Sequence, residues 1–104
     1  NDGQYKLAVV DFDHLLALNP KDAAAYVERG ITYDAMGLPD RAIEDFTQAI
    51  SVDPISGLAY ANRALVLVFA GTVEEARADA ERAIGLGVEL ETLITTLKLN
   101  IRHK

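Results

Sequence analysis

The two histidines are the side chains of this 104-residue chain best suited to acid–base or metal chemistry. His14 follows Asp11 by three residues, so both would lie on one face of a helix and could contact the same metal ion. A protein metal site needs three or four ligands, and the sequence indicates no third one. Neither His14 nor His103 has a serine or cysteine partner at a spacing suggestive of a nucleophile. We therefore predict no catalytic residues, no metal site, no cofactor and no enzymatic activity.

Charge and composition narrow the class of partner. The net charge of −6 argues against nucleic acid, whose binding depends largely on Lys and Arg contacts to phosphate. The longest apolar run, from Ala64 to Ala70, is far shorter than the roughly 20 residues that span a bilayer, so no membrane insertion is predicted. The absence of cysteine is compatible with any compartment. We expect a soluble chain, with the cytoplasm preferred over the periplasm.

The element that organises the chain is a repeat of 34 residues. The clearest unit runs from residue 23 to residue 56, where two amphipathic stretches are separated by Gly37-Leu38-Pro39 and followed by Pro54. Glycine and proline at these places end helices, so each unit is predicted to be two helices joined by a tight turn. The recurring positions are Tyr26 and Tyr60, Arg29 and Arg63, Gly37 and Gly71, Ala42 and Ala76, and Ala49 and Ala83.

This plan predicts six helices, no strand and a single domain. Asp22 is expected to cap the second helix, and Thr72 is expected to form a capping box with Glu75 at the fifth. Gly3 to Tyr5 correspond to the turn in the middle of a unit, so we expect the chain to begin within a repeat whose first helix is missing. The predicted helices cover about residues 5–18, 23–36, 39–52, 58–70, 73–84 and 89–102. The predicted divisions are a half repeat at 1–22, repeats at 23–56 and 57–90, and a capping helix at 91–104.

A 34-residue helix–turn–helix period with aromatic, Gly, Tyr, Ala, Phe and Pro residues at set offsets resembles the tetratricopeptide repeat, or TPR. The first full unit carries Tyr26, Gly30, Tyr33, Ala42, Phe46 and Pro54 at these offsets, whereas the second has Ala80 and Val88 in place of the Phe and the Pro. The resemblance implies an all-α fold, in which antiparallel helix pairs stack into an α-solenoid with a right-handed superhelix. It also implies a concave groove, lined by the first helix of each pair.

Two arginines depart from the family pattern, which has leucine at their position. Arg29 and Arg63 would lie on an inward-facing stripe, where an unpaired charge costs several kcal/mol. Aspartates recur at the same period of 34, one on each second helix. We therefore predict structural ion pairs rather than ligand contacts for the arginines, with Asp11, Asp45 and Asp79 as the partners.

The groove positions are those on first helices that remain after the packing positions are assigned. They are mostly apolar, and their acidic end is Asp34. Many family members bind a peptide's C-terminal carboxylate with basic and asparagine side chains in this groove, but here only Asn62 resembles that clamp. The predicted groove residues are Val27, Ile31, Asp34, Leu58, Ala61, Asn62, Leu65, Val68 and Phe69.

The function implied by the resemblance is a protein–protein interaction module, or adaptor, that binds an apolar or amphipathic peptide or helix in the groove. One alternative is an assembly module that self-associates through its apolar faces. Another is a regulatory repeat domain of a larger protein. The predicted partner is thus a protein or peptide, with self-association possible.

Overall fold

The computed structural model describes residues 1–89, which form five α-helices and no strand. Because the connections are short, consecutive helices run antiparallel, and each packs against the next, while α2 also contacts α4. The described part of the chain is therefore an all-α solenoid in which the pairs α2–α3 and α4–α5 are equivalent. The sixth predicted helix and the capping segment 91–104 lie outside the described residues. The helices are α1 (Asp2–Leu18), α2 (Ala23–Ala35), α3 (Pro39–Val52), α4 (Gly57–Ala70) and α5 (Val73–Gly85).

Local signals set the helix ends of the two full units. The Asp22 carboxylate accepts a hydrogen bond from the N–H of Ala25 at 3.0 Å, which confirms the predicted cap of α2. Gly37 and Gly71 follow α2 and α4 with φ of 77° and 88°, the left-handed conformation that ends a helix at little cost only for glycine. Pro39 occupies the first turn of α3, where its missing N–H costs nothing.

One predicted helix start and one predicted cap are wrong. The first helix begins at Asp2 rather than near Tyr5, because the Asn1 side chain accepts a hydrogen bond from the N–H of Gln4 at 3.1 Å and caps the helix there. Thr72 forms no capping box: its hydroxyl donates to the carbonyl of Leu67 at 3.1 Å and makes no cap bond to α5. The helix still begins at Val73, so its start does not depend on that bond.

The core of the first full unit is built around Phe46, which is 1% exposed. Its ring lies so close to α2 that a Cβ added to Gly30 would stand 2.6 Å from the ring carbon Cε1. Glycine at position 30 is therefore what allows a phenylalanine at position 46. The buried cluster around this ring joins α2, α3 and α4 through Val27, Ala42, Ala49, Ala59 and Val66.

Candidate peptide-binding groove

Arg29 on α2 connects two successive second helices. Its Nε and Nη2 donate to the two carboxylate oxygens of Asp45 on α3, at 2.9 and 2.7 Å. Its Nη1 donates to Asp13 on α1, at 2.8 Å. Paired planar bonds of this kind to a carboxylate are among the stronger side-chain hydrogen bonds. The guanidinium therefore ties α2 to its own partner helix and to the helix before it.

Arg63 repeats this arrangement one unit later. Its Nε and Nη2 donate to the carboxylate of Asp79 on α5, at 2.7 and 2.8 Å. Its Nη1 donates to the hydroxyl of Thr47 on α3, at 3.2 Å. Thr47 stands one period after Asp13, so the geometry is conserved within the chain although the second acceptor changes from a carboxylate to a hydroxyl.

Aromatic rings and carboxylates together hold both arginines in place. The guanidinium carbon of Arg29 lies 5.7 Å from the ring centre of Tyr26 and 5.9 Å from that of Tyr33, and Arg63 lies 5.7 Å from Tyr60. Hydrogen bonding to Asp45 raises the pKa of the Arg29 guanidinium, and bonding to Asp79 raises the pKa of Arg63. In each arginine all three guanidinium nitrogens donate to side chains within the fold, which leaves less capacity for a ligand.

Of the three aspartates predicted as partners of the arginines, two form ion pairs with them in the described part of the chain. Asp45 and Asp79 pair with Arg29 and Arg63 respectively, but Asp11 is exposed and has no ion pair within residues 1–89. Sequence reasoning missed Asp13, although a signal was present: Asp13 precedes Arg29 by 16 residues, the same spacing that separates Thr47 from Arg63. The prediction used only the 34-residue period, which supplies one acceptor for each arginine. It therefore missed the second acceptor, which lies 16 residues before each arginine.

Only part of the predicted groove lies at the surface. Ile31, Leu58 and Val68 are 43%, 60% and 36% exposed, so aliphatic side chains line one side of α2 and α4. Val27 and Ala61 were predicted in the same columns but are only 4% and 6% exposed. Both belong to buried clusters, Val27 with Phe46 and Ala61 with Ala83, because neighbouring helices cover that side of α2 and α4. These two residues are core, and their assignment to the groove is wrong.

The remaining predicted groove residues differ in their surroundings. Leu65 and Phe69 are half-buried on α4. Asn62 is also half-buried, and its side-chain N–H group donates to the carbonyl of Leu58 at 2.9 Å, so the residue that most resembles a carboxylate clamp bonds to its own helix. Asp34 lies at the surface of α2, and desolvation raises the pKa of its carboxyl. The acidic end of the strip is therefore a carboxylate that neighbouring atoms partly shield from water.

An apolar cavity of about 150 Å³ adjoins this strip, between α4 and α5. Leu65 and Val68 line it from α4, and Arg77 supplies the only charged side chain among the residues that line it. The cavity stands at the position that the Phe46 ring fills in the preceding unit, because its wall includes Ala80, one period after Phe46. The other lining residues are Ala64, Val73 and Ala76.

The described residues show neither a metal cluster nor a membrane-spanning helix. Within residues 1–89, no three histidine, cysteine, aspartate or glutamate side chains lie close enough together to hold a metal ion. His14 is exposed on α1. In the same part of the chain, no helix has both the length and the hydropathy needed to cross a membrane.

Comparison with known proteins identifies the repeat. The family model of the tetratricopeptide repeat matches residues 23–55, which span α2 and α3. Residues 23–55 therefore form a tetratricopeptide repeat. No curated protein matches it. The family model thus covers the first full unit, and the second, with Ala64 and Ala80 at two packing positions, carries the same helix pair with a weaker pattern.

Solved TPR structures share the fold. The second TPR of Spaghetti (RPAP3), bound to the HSP90 peptide SRMEEVD, is 28% identical over 82% of this chain and 79% of that chain, with a TM-score of 0.77. A crystal structure of MamA is 31% identical with the same TM-score; the match covers 80% of this chain but only 48% of that one, so our chain spans about half the length of MamA. The first TPR of Spaghetti, at 20% identity and a TM-score of 0.84, is similar over 98% of this chain in fold alone.

Proposed function

We propose that this TPR domain is a non-catalytic adaptor that binds an apolar or amphipathic peptide or helix on the exposed strip of α2 and α4. The observation that carries the proposal is the set of aliphatic side chains left in solvent there, Ile31, Leu58 and Val68. They occupy first helices of equivalent units, and a peptide laid across those helices would cover them together. Exposed apolar surface in such a concave position is typical of a protein-binding site.

The electrostatics of the strip disfavour an acidic peptide end of the kind bound by the second TPR of Spaghetti. That protein is seen with SRMEEVD, a sequence with two glutamates and an aspartate. Here the polar side chains exposed on α2 include Glu28 and Asp34, and the arginines at positions 29 and 63 are engaged with aspartates. The strip therefore favours a peptide with apolar anchors and a basic residue that reaches Asp34.

The test is a titration of the full chain with two labelled peptides, followed by fluorescence anisotropy. One peptide is an amphipathic helix with leucines on one face and lysines on the other, and the second is SRMEEVD. We expect a Kd in about the micromolar range for the first peptide, because few repeats line the strip, and no saturable binding of the second. Tight binding of SRMEEVD, or binding of neither peptide, would contradict the proposal.

Matched variants locate the binding surface. Ile31→Glu and Leu58→Glu place a charge on the strip and should reduce the affinity by at least about tenfold. Ile84→Glu is the control, because Ile84 is similarly exposed, at 40%, but lies on the second helix α5. All three variants should keep the helical circular dichroism of the parent. If Ile84→Glu weakened binding as much as Ile31→Glu, the peptide would not lie on the strip.

A second candidate function, self-association, is favoured by the outer face of α1. Leu7 and Leu18 are 67% and 85% exposed, and Val10 and Leu15 also reach solvent on that helix. Tyr5 and Phe12, on the same helix, are less exposed than these leucines. Sedimentation of the parent chain and of the Leu7→Glu variant distinguishes the two functions. Only an assembly module would form a dimer whose population rises with concentration and which the substitution removes.

A further inference from the structure

The outer face of α1 carries leucine where the equivalent helices of the full units carry charge. Leu7 and Leu18 are largely exposed on this helix. The residues one and two periods after Leu7 are Arg41 on α3 and Glu75 on α5, and both of them are exposed. The repeat therefore leaves this position in solvent in the full units as well as in α1, so packing within the repeat does not account for a leucine there.

The two leucines belong to a row of four exposed residues with spacings of four, three and four. The α1 row consists of Leu7, Asp11, His14 and Leu18. At 3.6 residues per turn these four lie on one side of α1, opposite Leu16, which is the buried residue of this helix. Alternating spacings of three and four residues are those with which two helices pack side by side in a coiled coil.

The α1 row is complementary to itself when the helix is reversed. A leucine stands at each end, and an aspartate and a histidine stand on either side of the midpoint, which falls between residues 12 and 13. If two copies of α1 pack antiparallel about a two-fold axis at that midpoint, Leu7 of one copy meets Leu18 of the other. In the two middle layers, Asp11 of one copy meets His14 of the other. Parallel packing would instead place Asp11 beside Asp11, which like charge disfavours.

We propose that a second copy of this chain docks on the outer face of α1, antiparallel and about a two-fold axis, through the α1 row. The inference rests on the second candidate function above, self-association, and specifies its geometry. It is independent of the peptide proposed for the strip, because the strip lies on α2 and α4 and the row lies on α1. The contact covers only about three helical turns, so we expect a weak dimer with a Kd of about 10–100 μM.

Disulfide formation between two single-cysteine variants tests the orientation, because the chain has no cysteine of its own. Leu7→Cys and Leu18→Cys are mixed, with one of them isotopically labelled, and oxidised mildly above the expected Kd. In the antiparallel pair the two copies of position 7 are about 16 Å apart along the helix and cannot be bridged, whereas position 7 faces position 18. We expect the mixed disulfide to form at least about ten times faster than either disulfide between identical variants.

Mass spectrometry of the products distinguishes the outcomes. The control is Ile55→Cys, because Ile55 is 71% exposed but lies outside α1, and it should give only the slow disulfides of random collision. A mixed disulfide in large excess supports the proposal. An excess of disulfides between identical variants would overturn the antiparallel arrangement while leaving self-association intact. If all pairs react as slowly as the control, the two copies do not meet at α1, and sedimentation then shows whether the chain associates elsewhere.

A charge-swap experiment gives an answer even if the cysteines alter the packing. Leu7→Glu and Leu18→Lys should each weaken association at least about tenfold, because each places a charge in both leucine layers of its own dimer. Mixed together they should recover most of the parent's association, since the glutamate of one meets the lysine of the other and two leucines meet in the remaining layer. Ile55→Glu is the control and should associate like the parent. If the mixture dimerises no better than either variant alone, Leu7 does not lie opposite Leu18.

The middle layers give a separate readout through pH. The charged groups that face His14 in the proposed pair are Asp11 of its own helix and Asp11 and His14 of the second copy. Histidine gains a proton as the pH falls below about 6.5, so these layers contain ion pairs at pH 6 that they lack at pH 8. Association of the parent should be at least about threefold stronger at pH 6 than at pH 8, and His14→Gln should remove the difference. A parent without this difference, or a His14→Gln variant that retains it, would overturn the assignment of His14 to the interface.

Discussion

The contact between Gly30 and Phe46 predicts that Gly30→Ala destabilises the domain, which is the opposite of the usual effect of this substitution in a helix. In a solvent-exposed helix, Gly→Ala stabilises by about 1 kcal/mol because it reduces the freedom of the unfolded chain and suits the helix better. At position 30 the added methyl group would lie 2.6, 2.9 and 3.0 Å from three carbons of the Phe46 ring. The ring is 1% exposed and cannot move toward solvent, so Gly30→Ala should instead destabilise the domain.

The size of the destabilisation caused by Gly30→Ala follows from two opposing effects. Overpacking a closed core costs about 1–3 kcal/mol, and such short distances place the cost near the upper end. Subtracting the gain in helix propensity leaves a net loss of about 1–2 kcal/mol in the free energy of unfolding. Phe46→Ala alone should cost about 3–5 kcal/mol. In that background the ring is gone, so Gly30→Ala should become stabilising by about 1 kcal/mol.

Urea unfolding followed by circular dichroism measures all four members of this double-mutant cycle. A temperature of about 15 °C, close to the usual maximum of stability, favours the folded state of the weakest variant. If Phe46→Ala still fails to fold, Phe46→Leu replaces it. Gly85→Ala is the matched control, because a Cβ at that helical position would meet nothing within 4 Å. The reasoning is refuted if Gly30→Ala stabilises the parent as Gly85→Ala does, since the ring would then not constrain position 30.

Two further predictions concern charged side chains. A double-mutant cycle on Arg63 and Asp79, whose side chains are 21% and 9% exposed, should give a coupling of about 2–3 kcal/mol, whereas the exposed pair Arg77 and Glu74, 3.9 Å apart, should give under about 1 kcal/mol. Equal couplings in thermal or urea unfolding would contradict the structural role of Arg63. Desolvation raises the pKa of Asp34 in the folded state, so the native state binds its proton more tightly and stability declines as the pH rises above the ordinary value of 3.8. Asp34→Asn should therefore raise the melting temperature slightly at neutral pH and leave it unchanged in acid; a lower melting temperature at neutral pH would reverse the assigned sign.

The helix ends of this domain could be predicted because the residues that determine them act locally. Gly37 and Gly71 adopt positive φ, and Asp22 bonds to an N–H three residues away, so no distant part of the chain is needed to interpret them. Thr72 shows the limit of this reasoning. Its hydroxyl could bond to the start of α5 or back to the carbonyl of Leu67, and only the geometry of the turn determines which bond forms.

The ion pairs were predictable because they repeat. A charge on a packing stripe needs a partner, and the period of 34 supplies Asp45 for Arg29 and Asp79 for Arg63. The second acceptor of each arginine lies on the preceding unit and is not the same residue type in the two units: it is Asp13 in one case and Thr47 in the other. A search for identical residues at one spacing overlooks such a pair, whereas a search for any acceptor 16 residues before an arginine would find it.

Only some of the groove residues could be predicted from the sequence, because the exposure of a side chain on α2 or α4 depends on where the neighbouring helices cross. The helical period places Val27 and Ile31 on the same side of α2, yet Val27 shares a buried cluster with Ala59 and Val66 of α4, while Ile31 remains in solvent. Ala61 is likewise covered by Ala83 of α5. Substitutions at Val27 or Ala61 would therefore lower stability and binding together. Loss of binding is informative about the strip only at exposed positions such as Ile31 and Leu58, where the fold survives the change.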